Sequence, residues 1–157
     1  MSDDTMTFTR TYDVTPERLW ALCTTRDGIE SWWGPEGFTV TVNELDLRVG
    51  GRLNYTMTAT GEDQVAFMSG AGMPLASTVE LTIEDVVPNT RFVFSTHADF
   101  IPDVDPYDTA TVLELAPDGQ RTVLTITVDT MHNAEWTQRS RMGEEQQLAK
   151  LDAILGR

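Results

Sequence analysis

One cysteine, Cys23, stands alone in 157 residues, so the chain cannot close an internal disulfide, which agrees with a reducing compartment. No stretch of about 20 apolar residues is present, so a membrane-spanning helix is not expected. Met1 to Arg10 lacks the basic start and apolar run of an export signal, and the expectation is a cytoplasmic protein. Basic residues are scarce. Eleven Lys and Arg face 25 Asp and Glu, a formal charge of −14, and no basic run interrupts the acidic background. Nucleic acid and anionic membrane surfaces are therefore poor partners for this chain. Only two histidines occur, His97 and His132, and with one cysteine they give no zinc-type ligand spacing. Asp99, Asp103, Asp105 and Asp108 do not follow the calcium-loop order, and Pro102 and Pro106 stiffen that segment. Serines 69, 77, 95 and 140 lack a nucleophile-elbow context, and the glycines of Ser69 to Gly72 form no phosphate loop. No metal, no cofactor and no identifiable catalytic residue are expected from these patterns.

What is present is organised around Asn133 to Leu155. Trp136, Leu148, Leu151, Ile154 and Leu155 recur at steps of three and four without a proline, the pattern of an amphipathic helix. Its apolar stripe is uneven. The C-terminal half carries Leu148, Leu151, Ile154 and Leu155, whereas the N-terminal half offers Ser140, Gly143 and Gln147. A helical glycine costs about 1 kcal/mol relative to alanine, so Gly143 makes more sense as room or close approach than as helix former. Trp136, Ser140, Gly143 and Gln147 are therefore expected to line a cavity; a sheet side chain packed onto Gly143 is the alternative.

Upstream, the periodicity is mostly two. Thr5 to Tyr12 alternates Met6, Phe8, Arg10 and Tyr12 with threonines, a first strand. Thr15-Pro16 opens a short helix through Cys23, and Asp27 to Trp32 forms a second that Gly34-Pro35 ends. Phe38 onward and Leu53 to Thr58 form a hairpin across Arg48-Val49-Gly50-Gly51. Strands are expected at Val79 to Val86, Arg91 to His97, Thr109 to Leu115 and Thr122 to Asp129, with turns at Pro88-Asn89-Thr90 and Pro117-Asp118-Gly119. Thr60 to Ser77 is expected to be loop with part of an edge strand, and His97 to Asp108 a second long loop; their apolar residues could serve as lids or as edge cover. About seven antiparallel strands and a long terminal helix make one α+β domain over 1–157.

The segment Trp32-Trp33-Gly34-Pro35-Glu36-Gly37-Phe38, then Asp46-Leu47-Arg48-Val49-Gly50-Gly51-Arg52, and finally Gly143 with Leu148-Ala149-Lys150-Leu151 resemble domains similar to the C-terminal domain of the activator of the Hsp90 ATPase. That family lies within the superfamily resembling START lipid-transfer domains, the Bet v 1 pollen-allergen fold and polyketide cyclases (SRPBCC). The resemblance implies a helix-grip fold, a curved antiparallel sheet closed on the C-terminal helix with two short helices after strand 1 and a cavity between. Many members carry tryptophan after the glycine at the Gly143 position; here Glu144 stands there, a carboxylate in place of an indole.

The expected ligand is a small apolar molecule, lipid-like or aromatic, held by Trp33, Tyr55, Met57, Phe67, Met73, Phe94, His97, Phe100, Trp136, Arg139, Ser140, Gly143 and Gln147. Arg139 is the candidate anion contact, and Arg48 is expected to brace its hairpin through Asp46. Of Trp32 and Trp33, one is expected in the core and the other at the pocket mouth or surface. A cyclase- or hydrolase-like enzyme drawing on His97, Asp99 and Glu144 is the second reading, and a chaperone-interaction module the third. A homodimer is left open.

Overall fold

The computed structural model describes residues 4–99 and 103–156. β1 (Thr5–Tyr12) leads into α1 (Pro16–Thr24) and α2 (Arg26–Trp32). The chain then runs as β2 (Phe38–Leu45), β3 (Arg52–Ala59), α3 (Glu62–Gly70), β4 (Ala76–Val87), β5 (Arg91–Ala98), β6 (Tyr107–Asp118), β7 (Arg121–Asp129) and α4 (Ala134–Ile154). All seven strands form one antiparallel sheet in the order β1-β7-β6-β5-β4-β3-β2. The strands from β2 to β7 are thus a meander, and the α1–α2 excursion carries the chain from one edge of the sheet to the other. Register shifts at Val42/Glu44 and Ile83/Asp85 add the local twist that lets such a sheet curve.

Local chemistry sets the element ends. Thr15 caps α1 by accepting from the Arg18 amide, with Pro16 at the first helical position, and Thr25 caps α2 through the Gly28 amide. Asn133 caps α4 through the Trp136 amide at 2.9 Å. Between β2 and β3, Arg48 Nε donates to Asp46 Oδ2 at 2.8 Å, the brace expected from the sequence, and a side chain at Gly51 would collide with the Asp46 carbonyl.

The concave face of the sheet and the helices share one core. Phe8, Leu53, Leu81, Ile83, Phe92, Leu113, Leu124 and Ile126 meet Leu19, Ile29, Leu148 and Leu151, all buried. Only the C-terminal half of α4 joins it solidly: Leu148 and Leu151 are fully enclosed and Leu155 packs at the margin, while Ile154 is turned outward. Tyr12 Oη donates to Asp152 Oδ1 at 2.7 Å, which fixes this end of α4 to β1.

One element departs from expectation. The segment assigned to loop and edge strand forms α3, which buries no residue; Phe67 (69% exposed) and Met73 (48% exposed) face outward. With no apolar face to bury, it carries no periodic signal by which a helix could be recognised. Because Leu151 is fully enclosed in the shared core and Ile154 is not, Leu151→Ala should cost about 2–5 kcal/mol of stability, read from the denaturant midpoint, whereas Ile154→Ala should cost well under half as much.

Candidate functional site

The N-terminal half of α4 faces the same concave surface with Ser140, Glu144 and Gln147, and above them lies a cavity of about 200 Å³. Its floor is Leu81, Phe94, Leu113, Ile126 and Val128 from the sheet; Trp32 and Trp33 close one side, and Tyr55, Thr96, Thr109 and Thr111 add hydroxyls. The hollow follows from side-chain volume: where α4 offers serine, glutamate and glutamine, the sheet's large residues find nothing to interlock with.

The Trp-Trp-Gly-Pro segment is strapped to α4 by three side chains. Gln147 Oε1 accepts from the Gly34 amide (2.8 Å), Gln146 Oε1 accepts from the Glu36 amide (3.0 Å), and Lys150 Nζ donates to the carbonyls of Trp33 (3.3 Å) and Phe38 (2.9 Å). Gly34 makes the bend at φ +87°, a conformation costly for other residues. Partial burial lowers the Lys150 pKa. These straps hold Trp33 against the cavity. Its ring stands edge-on to Tyr55 (centroids 5.6 Å, 87°) and tilted to Phe94 (5.4 Å), distances at which aromatic pairs gain beyond simple burial. The Trp33 Nε1–H has no acceptor among the described residues, a cost borne by the packing of the ring.

Glu144 is the chemical centre of the cavity. Burial pushes its carboxyl up to about 7, against the smaller opposing effect of a long contact from Gln147 Nε2 at 3.5 Å. Tyr55 is pushed up to about 12, by burial first and by the Glu144 charge second. Glu144 and Tyr55 keep partial accessibility, but it is that of a cavity wall.

The expected residues divide. Trp33, Tyr55, Phe94, Ser140 and Gln147 line the cavity. Gly143 does not, although a Cβ built on it would meet nothing within 4 Å, so the space beside it is open. Met57 packs at the margin of the core instead. Phe67 sits with Phe38 and Met68 on the outside of α3, and Met73 follows it. Trp136 and Arg139 are turned away from the cavity: the Arg139 guanidinium lies 4.7 Å from the Trp136 ring and pairs with Glu135 at 2.9 Å. Phe100 lies outside the described residues.

His97 is also elsewhere. It is exposed, and its Nδ1 lies 2.7 Å from Asp108 Oδ1, its cross-strand partner on β6, rather than pairing with Asp99. Hydrogen bonding to Asp108 is the main influence raising its pKa. His132 meets the Tyr107 hydroxyl at 2.8 Å. The His97, Asp99 and Glu144 constellation is thus not assembled. The expectation for the tryptophan pair also needs correction: both are buried and both line the cavity, because α2 ends at Trp32 and the extended backbone of Trp33 turns the second ring inward. Among the cavity residues that the periodicity left unsingled are Thr96, Thr109 and Thr111, whose inward direction depends on strand register, and Met131, which follows β7. Among the described residues no cluster of three or more His, Cys, Asp or Glu could hold a metal, and no helix is long and apolar enough to cross a membrane.

The Glu144 shift has a measurable sign. A carboxyl whose folded pKa is raised adds stability that is complete below the unfolded value and lost as pH rises toward about 7. Glu144→Gln should therefore leave stability near pH 4 little changed and raise it at pH 8 by roughly 2–3 kcal/mol, read by chemical denaturation at both values.

Comparison with known proteins agrees with this geometry. A crystal structure from Chromobacterium violaceum is similar over 96% of this chain and 96% of its own, at 26% identity and a TM-score of 0.77. One from Mycobacterium smegmatis matches 97% of this chain and 90% of its own, at 25% identity and a TM-score of 0.71. The structure titled as the AHSA1 protein of Silicibacter pomeroyi covers 98% of both chains with a TM-score of 0.74; at 21% identity it speaks for the fold alone. A comparison with curated proteins gave no significant match. Residues 13–156 match the family model described as activator of Hsp90 ATPase homolog 1-like protein, and the chain belongs to that family, with its helix-grip α+β fold.

Proposed function

We propose that this protein is a binding domain that encloses one small, largely apolar molecule between the sheet and the first half of α4. The observation that carries the reading is the mismatch across the cavity, a wall of Trp33, Phe94, Leu113 and Ile126 facing a helix stretch of Ser140, Glu144 and Gln147. Burial of apolar area at about 25 cal/mol per Å² supplies the affinity, and the hydroxyls with Glu144 and Gln147 orient the guest. Size narrows the guest class. An apolar cavity of about 150 Å³ accommodates benzene, so about 200 Å³ suits a single ring with a short arm better than a lipid chain. The single buried thiol, Cys23, fits a cytoplasmic setting.

An enzyme reading draws only on Glu144, whose raised pKa would suit a proton donor, since His97 is spent on a surface pair with Asp108. The binding reading is preferred because, among the described lining residues, no histidine or lysine stands beside the Ser140, Thr96, Thr109 or Thr111 hydroxyls to activate one of them.

Toluene added to the labelled protein should shift the Trp33 indole and Ile126 methyl resonances in a saturable way. Ser140→Phe, which places a ring in the hollow, should abolish those shifts while leaving the melting temperature within a few degrees. Unchanged shifts in a folded Ser140→Phe variant would refute the reading.

A further inference from the structure

The cavity contains one acid and no base. Among the described residues that line it, Glu144 and Tyr55 are the only titratable side chains, with no lysine, arginine or histidine. The cations of α4 are all engaged elsewhere: Arg139 on Glu135 and the Trp136 ring, Arg141 5.7 Å from the Phe8 ring, and Lys150 on the carbonyls of Trp33 and Phe38. From the strands behind the cavity, Arg52 pairs with Glu80, Arg91 with Asp85 and His97 with Asp108, all at the surface. Arg26 of α2, which packs against α4, donates to the Val42 carbonyl, so among the described residues Glu144 has no counter-charge, and its hydrogen-bonding neighbour there, Gln147 Nε2, is 3.5 Å away.

A neutral guest would not require such a group. Ser140, Thr96, Thr109, Thr111 and the Tyr55 hydroxyl already offer donors and acceptors, and a buried carboxyl without a counter-charge penalises folding. The surrounding rings narrow the choice. The Trp33 ring lies 5.6 Å from Tyr55 and 5.4 Å from Phe94, centroid to centroid, and aromatic faces attract cations.

We infer that the guest is a small organic amine, an ammonium on a single ring or short hydrocarbon, with its charge on the Glu144 carboxylate and its apolar part against Trp33 and Phe94. The inference rests on the cavity-binding reading above and assigns the class of ligand to it. In the complex the ammonium supplies the counter-charge that the protein withholds, so Glu144 ionises on binding. Guests without a positive nitrogen gain only the apolar contacts, and carboxylates are repelled.

Calorimetric titration with 2-phenylethylamine, its neutral isostere 2-phenylethanol and the anion 3-phenylpropionate tests this at pH 6 and pH 8. The ammonium stays charged over that range, as alkyl amines titrate near 10. The amine should bind at least tenfold more tightly than the alcohol at pH 8, the anion should bind weakest, and amine affinity should rise from pH 6 to pH 8 as Glu144 loses its proton. In Glu144→Gln the amine should lose its advantage over the alcohol and its pH dependence. Equal binding of amine and alcohol, or amine affinity that falls with rising pH, overturns the amine assignment while leaving a binding cavity in place. Absence of binding by all three at millimolar concentration, together with no toluene shifts, overturns both.

Discussion

The constraint on which this molecule turns is the division of α4 between a half that packs and a half that cannot. Leu148 and Leu151 lock the C-terminal half into the sheet, and Tyr12 reaches across to Asp152 to fix it there. The axis of the helix is then set. Its earlier turns must pass over the same concave surface, yet Ser140, Glu144 and Gln147 lack the volume to reach it. A cavity results because a rigid helix cannot sag by several ångströms to close the gap without withdrawing its buried leucines.

The same residues that leave the space also equip it. Gln147 spends its carbonyl oxygen on the Gly34 amide and, with Gln146 and Lys150, ties the segment after α2 to the helix, so Trp33 is held in place by hydrogen bonds at its backbone and by rings around its side chain. Glu144 sits one turn earlier, and its burial there raises its proton affinity. Structural support and chemical character therefore come from adjacent positions on one helix face.

Much of the architecture was legible in sequence. The alternation over Thr5 to Tyr12 coincides with β1, the turn at Pro117-Asp118-Gly119 lies at the junction of β6 and β7, and of the four residues on the uneven stripe of α4, Ser140 and Gln147 face the cavity while Trp136 and Gly143 do not. What escaped was set by register and exposure. His97 meets Asp108 because β5 and β6 align them, a pairing separated by eleven residues and a loop, whereas Asp99 is nearer only along the chain. Phe67 and Met73 are apolar, which favours an inward reading, but α3 buries no residue and both side chains are exposed. Apolar character is a one-way guide to burial, and Arg139 was misread for a related reason: its helix position borders the open half of α4 while its partners, Glu135 and Trp136, hold it at the surface.

The central claim is that space persists between the first half of α4 and the sheet, and xenon tests it most directly. Crystals pressurised with xenon should show an anomalous peak enclosed by Trp33, Phe94, Leu113 and Ile126. Coordinates in which those side chains and α4 meet in van der Waals contact, with no xenon between them, would contradict it.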